Sequence, residues 1–153
     1  MKTAVFPGSF DPFTTGHEDI VDRALRSIAD KVIIAVGRNC DKKGTETVEE
    51  RMAAIKAVFA NEPRVEVKSY EGLTIDFAKE VGASFLLRGV RNMKDFEYER
   101  DIADVNRHLT GIETVLLYSA PSLAHVSSSI VRELASYGKD VTGFLAGNHP
   151  RTE

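Results

Sequence analysis

Short, nearly continuous apolar runs alternate with stretches of helical spacing along the chain. The runs are TAVF (3 to 6), KVIIAVG (31 to 37), RVEVKSY (64 to 70), SFLLRG (84 to 89) and ETVLLYS (113 to 119), and five strands are the economical reading. Between them, helical spacing runs over His17 to Ile28, Val48 to Phe59, Leu73 to Val81 and Lys94 to Leu109. In the first of these, Ile20, Ala24 and Ile28 form one stripe with Val21 and Leu25 beside it. A run such as VIIAV, apolar at every position, suits a strand covered on both faces, as in a parallel sheet with helices on either side. The pattern predicts a doubly wound α/β domain built on a five-stranded parallel sheet, with a last helix starting at Ser128 or Ser129.

Length and composition narrow this to one domain over 1–153, since 153 residues with 42% hydrophobic and 28% charged side chains can bury one core. The tail from Asn148 is polar and is expected to fray. A net charge of -3 gives no general attraction to nucleic acid or anionic membrane, so any cationic chemistry is local. No segment approaches the roughly 20 apolar residues that span a bilayer, and the N-terminus has no long apolar stretch; a cytoplasmic chain without membrane or nucleic-acid partners is expected. Cys40 is the single cysteine, which leaves no intrachain disulfide and reads as an incidental loop thiol.

The candidate chemistry gathers at the predicted carboxyl edge of the sheet, where such folds hold ligands. FPGSFDPFTTGHEDI (6 to 20) leaves the first strand with two prolines, two glycines and three hydroxyls. Thr15 and Glu18 fit a T-x-x-E capping box, which makes Thr15 the expected N-cap and puts His17 in the first turn. Unpaired N–H groups and a partial positive charge at that helix start suit an anion, phosphate above all. A capped loop with a surface histidine would carry the same local pattern.

Further segments point to the same edge. In LLRGVRNMKDFEYE, Arg88 and Arg91 flank Gly89 after the fourth strand, and guanidinium groups grip phosphate bidentately. Solvated arginines paired with Asp95 or Glu97 are the alternative. Lys42 and Lys43 lie in the loop after the second strand, and Ser127, Ser128 and Ser129 precede an apolar run where a hydroxyl cap makes another anion site. Asp11, Asp95 and Glu99 could assist a magnesium-nucleotide but form no recognisable metal cage, and no Walker A loop or Ser-His-Asp order is present. The set points to phosphate positioning rather than covalent catalysis.

Thr14-Thr15-Gly16-His17 resembles the T/H-x-G-H signature of the nucleotidyltransferase superfamily, and VSSSIVRE its serine-rich second signature. With DKKGTETVEER, LLRGVRNMKDFEYE and NRHL in this order, the chain from its start to about residue 147 resembles the bacterial phosphopantetheine adenylyltransferase family. The resemblance implies a Rossmann-like domain that transfers AMP from ATP, carried with Mg2+, to 4′-phosphopantetheine. The products would be dephospho-coenzyme A and pyrophosphate, by direct in-line attack. By the family pattern, His17 stabilises the transition state, with Ser9, Lys42 and Arg91 as further catalytic groups. Phe10, Gly89, Val90, Glu99, Leu123, Ala124, His125, Val126, Ser127, Ser128 and Ser129 would join Ser9, His17 and Arg91 in binding ATP. Ser9, Lys42, Thr74 and Arg88 would hold the acceptor, with no metal ligand assigned to the protein. A homohexamer built as a dimer of trimers and feedback inhibition by coenzyme A are also implied.

His125 stands where relatives often carry an aromatic ring, and Ser9 where some carry threonine. A transferase acting on nicotinate mononucleotide or glycerol 3-phosphate shares the superfamily loop; Lys42 and Asn106-Arg107-His108 favour phosphopantetheine. A catalytically silent nucleotide-binding module is the other class, opposed by the joint presence of Ser9, His17, Lys42, Arg88 and Arg91.

Overall fold

The computed structural model describes residues 1–38 and 46–147. The loop bearing Cys40, Lys42 and Lys43 and the tail from Asn148 lie outside the described residues. Strands β1 (Thr3–Gly8), β2 (Lys31–Gly37), β3 (Val65–Tyr70), β4 (Phe85–Val90) and β5 (Glu113–Tyr118) alternate with helices α1 (Thr15–Ser27), α2 (Val48–Val58), α3 (Thr74–Glu80) and α4 (Met93–Thr110). Helix α5 (Ser128–Ser136) follows a short 3-10 turn at Pro121–Leu123, and a second such turn spans Thr142–Phe144. The sheet is parallel throughout, in the order β3-β2-β1-β4-β5.

Alternate residues of each strand feed two separate cores, as the period of two requires. Ala4, Phe6, Val32, Ile34, Val36 and Leu87 pack with Ile20, Val21, Ala24 and Ile55 of α1 and α2. Val5, Ile33, Ala35 and Leu86 pack on the opposite face with Ile75 and Ala78 of α3. Helices therefore cover both faces of the sheet, as the unbroken apolar runs predict. Helix α4 departs from this pattern, since Glu99 is its one buried residue among 18. No described helix is long and apolar enough to cross a membrane.

One detail of the pairing creates the site. Strands β1 and β4 are register partners only at Ala4–Phe85 and Val5–Leu86, whereas β1 follows β2 from Thr3 to Gly8. Beyond Phe6 and Leu87 the two strands part at the point where the strand order reverses, and a cleft opens at the carboxyl edge.

Candidate active site

A cavity of about 350 Å³ fills this cleft, between the β1–α1 loop, the end of β4 and the start of α5. Its floor is the loop that leaves β1. Phe10 adopts a φ of 49°, a left-handed conformation that costs a residue with a Cβ about 1 kcal/mol or more. Its ring offsets that cost by packing at 3% exposure between Phe6 and Phe13, with ring centres 5.2 and 5.3 Å away. A Cβ on residue 8 would lie 2.9 Å from Phe10 Cζ, so Gly8 leaves the space that the ring occupies.

The loop's carbonyls are taken up by cations from three elements. Arg88 of β4 donates to Pro7 O at 2.5 Å, Arg51 of α2 donates to Ser9 O, and Arg132 of α5 donates to Asp11 O at 2.6 Å. Ser128 Oγ donates to Pro12 O at 2.7 Å. A carbonyl oxygen facing a phosphate would repel it; donors hold these four oxygens instead. Carbonyls at positions 7, 9, 11 and 12 thus fix the loop before any ligand arrives.

The N-cap of α1 is Thr14, one residue before the expected Thr15. Thr14 Oγ1 accepts from the His17 N–H at 3.4 Å, and the Thr14 N–H donates to His17 Nδ1 at 3.0 Å. His17 therefore takes the place that Glu or Gln holds in a capping box. Glu18, read from the sequence as that acid, instead accepts from the Gly147 N–H at 2.9 Å, and Thr15 Oγ1 is buried with no hydrogen-bond partner among the described residues. The local pattern fits either threonine. The imidazole decides it, because only with Thr14 as cap can Nδ1 reach the cap's own N–H.

This arrangement sets the chemistry of His17. A ring nitrogen that accepts from a backbone N–H carries no proton, so Nε2 is the N–H donor of the neutral ring. Phe13 stacks on the ring at 5.3 Å and 27°, and Phe10 meets it edge-on at 5.0 Å. Burial among these rings, then the charges of Arg88 and Arg91, pull the His17 pKa from 6.5 to about 3. At neutral pH the cavity wall thus presents a fixed, uncharged donor.

Arg88 and Glu99 form a bidentate pair, Nε to Oε2 at 2.9 Å and Nη2 to Oε1 at 2.7 Å. With Pro7 O also held, three of the five guanidinium N–H groups of Arg88 are committed and two remain for a ligand. Glu99, 6% exposed, serves first as the counter-ion that orients Arg88. Arg91 pairs with Asp95 at 3.0 Å, the partner the sequence raised as an alternative, and its side chain stays 35% exposed on the cavity wall.

Helix α5 is capped by Ser127, whose Oγ accepts from the Ile130 N–H at 3.2 Å. The first turn brings Ser128 and Ser129 to the cavity with Ser127 and Val126. Ser9, Phe10, His17, Arg88, Gly89, Arg91 and Glu99 line the same space, whereas Val90, Leu123, Ala124 and His125 do not. Gly89 also admits α1: a Cβ there would meet Ile20 Cγ1 at 3.1 Å. Arg132 and Arg51 were missed from the sequence. Arg132 stands four residues after Ser128 and was legible from helical spacing, but Arg51 acts on a distant carbonyl that no spacing reveals.

A second cavity of about 170 Å³ adjoins the first through Pro7, Gly8, Arg88 and Glu99, which line both. Tyr70, Thr74, Leu86, Tyr98, Ile102 and Asn106 enclose its far end. Thr74 thus lies away from His17, and its Oγ1 is 2.7 Å from the Tyr70 hydroxyl. The site has two compartments, one rich in donors and one largely apolar, with Arg88 between them.

A family model described as cytidylyltransferase-like matches residues 5–134, from the first strand into α5. A phosphopantetheine adenylyltransferase of Phocaeicola vulgatus is 53% identical over 145 residues, covering 95% of each chain. That of Bacteroides fragilis is 51% identical, covering 95% of this chain and 96% of its own. The crystal structure of the lipopolysaccharide core biosynthesis protein from Thermoplasma volcanium shares the fold, with a TM-score of 0.56 and 19% identity, over 78% of this chain and 97% of that one. The chain belongs to the phosphopantetheine adenylyltransferase family, within the cytidylyltransferase-like proteins.

Proposed function

We propose that the protein transfers the adenylyl group of ATP to the phosphate of 4′-phosphopantetheine, giving dephospho-coenzyme A and pyrophosphate, a step of coenzyme A synthesis. The observation that carries the reading is the pair of joined compartments meeting at Arg88. The larger holds the donors an ATP triphosphate needs: His17 Nε2–H, Arg91, and the N–H groups that open α5. The smaller suits the long, weakly polar arm of an acceptor whose phosphate is gripped by the remaining N–H groups of Arg88.

In this mechanism the acceptor phosphate, already anionic, attacks the α-phosphorus in line as pyrophosphate leaves. No protein base or nucleophile takes part. His17 donates from Nε2 to an α-phosphate oxygen, and that bond strengthens as charge gathers in the transition state. Ser9 and Phe10 meet the nucleotide's phosphates from the loop, and Ser127 to Ser129 meet them from α5. Lys42, outside the described residues, is assigned to the acceptor phosphate on the sequence pattern alone. Magnesium enters as part of the nucleotide; among the described residues no three His, Cys, Asp or Glu side chains group to hold a metal.

The reading extends to a cytoplasmic homo-oligomer, the hexamer of the sequence expectation, with coenzyme A as an inhibitor competing for the acceptor compartment. Support for association comes from α4, where Tyr98 and Ile102 at the wall of the second cavity continue into Val105 and Leu109 as one exposed apolar stripe. A second copy of the chain is the proposed occupant. The acceptor is tested with purified protein, magnesium-ATP and a panel of 4′-phosphopantetheine, nicotinate mononucleotide and glycerol 3-phosphate. Pyrophosphate release is expected with the first alone, and release with either of the others would redirect the substrate assignment.

A further inference from the structure

We propose that the strap formed by residues 145–147 is a positioning element for His17, held in place by Glu18. The strap crosses the start of α1 and grips three residues there. Leu145 forms an antiparallel bridge with Thr14, the Ala146 N–H donates to Phe13 O at 3.2 Å, and the Gly147 N–H donates to Glu18 Oε1 at 2.9 Å. All three anchors are at most 6% exposed.

Each anchor touches or adjoins the histidine. Thr14 supplies the N–H that keeps Nδ1 unprotonated, and the Phe13 ring stacks on the imidazole. Glu18 follows His17 directly in the first turn of α1, where a carboxylate is favoured by the helix's positive end. A carboxylate with 2% exposure is costly to bury without a committed partner, and here a backbone N–H 129 residues away in sequence provides one. The exchange noted in the cap makes this possible. Because His17 performs the capping-box role, Glu18 is released from it and tethers the strap.

The physical consequence concerns orientation more than folding. A donor that acts on a transition-state oxygen loses rate steeply when displaced, by about a hundredfold for an ångström. The strap closes the outer side of the two residues that set the ring's tautomer and plane. Glu18 is thus a positioning residue, acting through Thr14 and Phe13.

This inference rests on the proposed role of His17, so its test includes a readout independent of turnover. In full-length protein, Glu18→Leu removes the acceptor and Glu18→Gln keeps one, while Gly147→Pro, at an exposed position, removes the N–H and cannot hold the φ of 87° that Gly147 adopts, so it displaces the strap. Adenylyl transfer is assayed with both substrates varied, and the ring-nitrogen shifts of His17 are read by 15N NMR, assigned by comparison with His17→Ala.

The expected result is that Glu18→Leu and Gly147→Pro each lower kcat about tenfold or more with KM values within about twofold, while Glu18→Gln recovers most of kcat. In parallel, the wide separation of Nδ1 and Nε2 shifts that marks a single tautomer narrows in the first two variants. Unchanged kcat and unchanged ring shifts in both would overturn the proposal. So would a loss of kcat with ring shifts like wild type, which would mark Glu18 as a stability residue only. If Glu18→Leu fails to fold, Gly147→Pro decides by the same two readouts. Failure of the wild type to turn over would refute the functional reading, and the NMR comparison would still decide whether the strap orients the ring.

Discussion

The backbone N–H of Thr14 donates to Nδ1 of His17 at 3.0 Å, which assigns the imidazole proton to Nε2 before any substrate binds. A histidine that capped its helix through a side-chain carboxylate partner could rotate; this one is held by the main chain. The cap and the proposed catalytic donor are two ends of the same ring.

Replacing His17 with alanine removes that donor. The expected loss in kcat is roughly a hundredfold, about 3 kcal/mol, with the far-UV circular dichroism spectrum unchanged. Steady-state kinetics on the purified variant check this.

His17 also makes stability depend on pH in a stated direction. In the folded chain it stays neutral down to pH about 3, whereas at its ordinary pKa of 6.5 the unfolded chain binds a proton. Between those values the unfolded state holds more protons, so stability rises with pH. The contribution of His17 is complete above pH 6.5 and is lost as pH falls toward 3. Urea midpoints at pH 7 and pH 5 are expected to fall further in the wild type than in His17→Gln. An equal fall in both would contradict the depressed pKa.

Arg88 carries two duties that substitutions can separate. Arg88→Ala is expected to weaken 4′-phosphopantetheine more than ATP in calorimetric titrations. It also strands the carboxylate of Glu99, with a stability loss of about 3 kcal/mol. The double variant Arg88→Ala with Glu99→Gln should regain part of the stability and none of the acceptor affinity. Equal losses for both ligands would reject the assignment of Arg88 to the acceptor.

Gly8→Ala places a methyl 2.9 Å from Phe10 Cζ, and the ring must move. Overpacking of this kind costs about 1 to 3 kcal/mol, and the displaced loop should lower kcat/KM for ATP. Thermal unfolding and kinetics together test whether the two losses move in step.

Much of this was legible in the sequence. The five strands and the helices between them follow from apolar runs and helical spacing, and their ends agree within about two residues. The convergence of Ser9, His17, Arg88, Arg91 and Ser127 to Ser129 on one edge follows from strand polarity. The α1 cap was misassigned because TTGHE offers two threonines at plausible spacing, and the pattern favours Glu18 over an imidazole as the reciprocal acceptor. The pairing of Glu99 with Arg88 spans 11 residues and two elements, and its bidentate geometry exists only once α4 lies across β4. Arg51 and the strap at 145–147 act on carbonyls and a carboxylate brought near by folding, where no local signal points.

The exposed apolar stripe of α4 gives a prediction about the proposed assembly. Val105→Glu puts a charge into the exposed apolar stripe and should lower the sedimentation coefficient of the proposed oligomer toward that of a monomer. An unchanged coefficient would remove α4 from the interface.

The most direct test of the account is a single-turnover reaction of purified protein with magnesium-ATP and 4′-phosphopantetheine, run beside His17→Ala. Pyrophosphate is assayed and the organic product is identified by mass spectrometry. Formation of dephospho-coenzyme A by the wild type, slowed roughly a hundredfold in the variant, is the predicted result. Dephospho-coenzyme A formed at equal rates by both proteins would contradict the role of His17, and its absence from the wild-type reaction would contradict the proposed function.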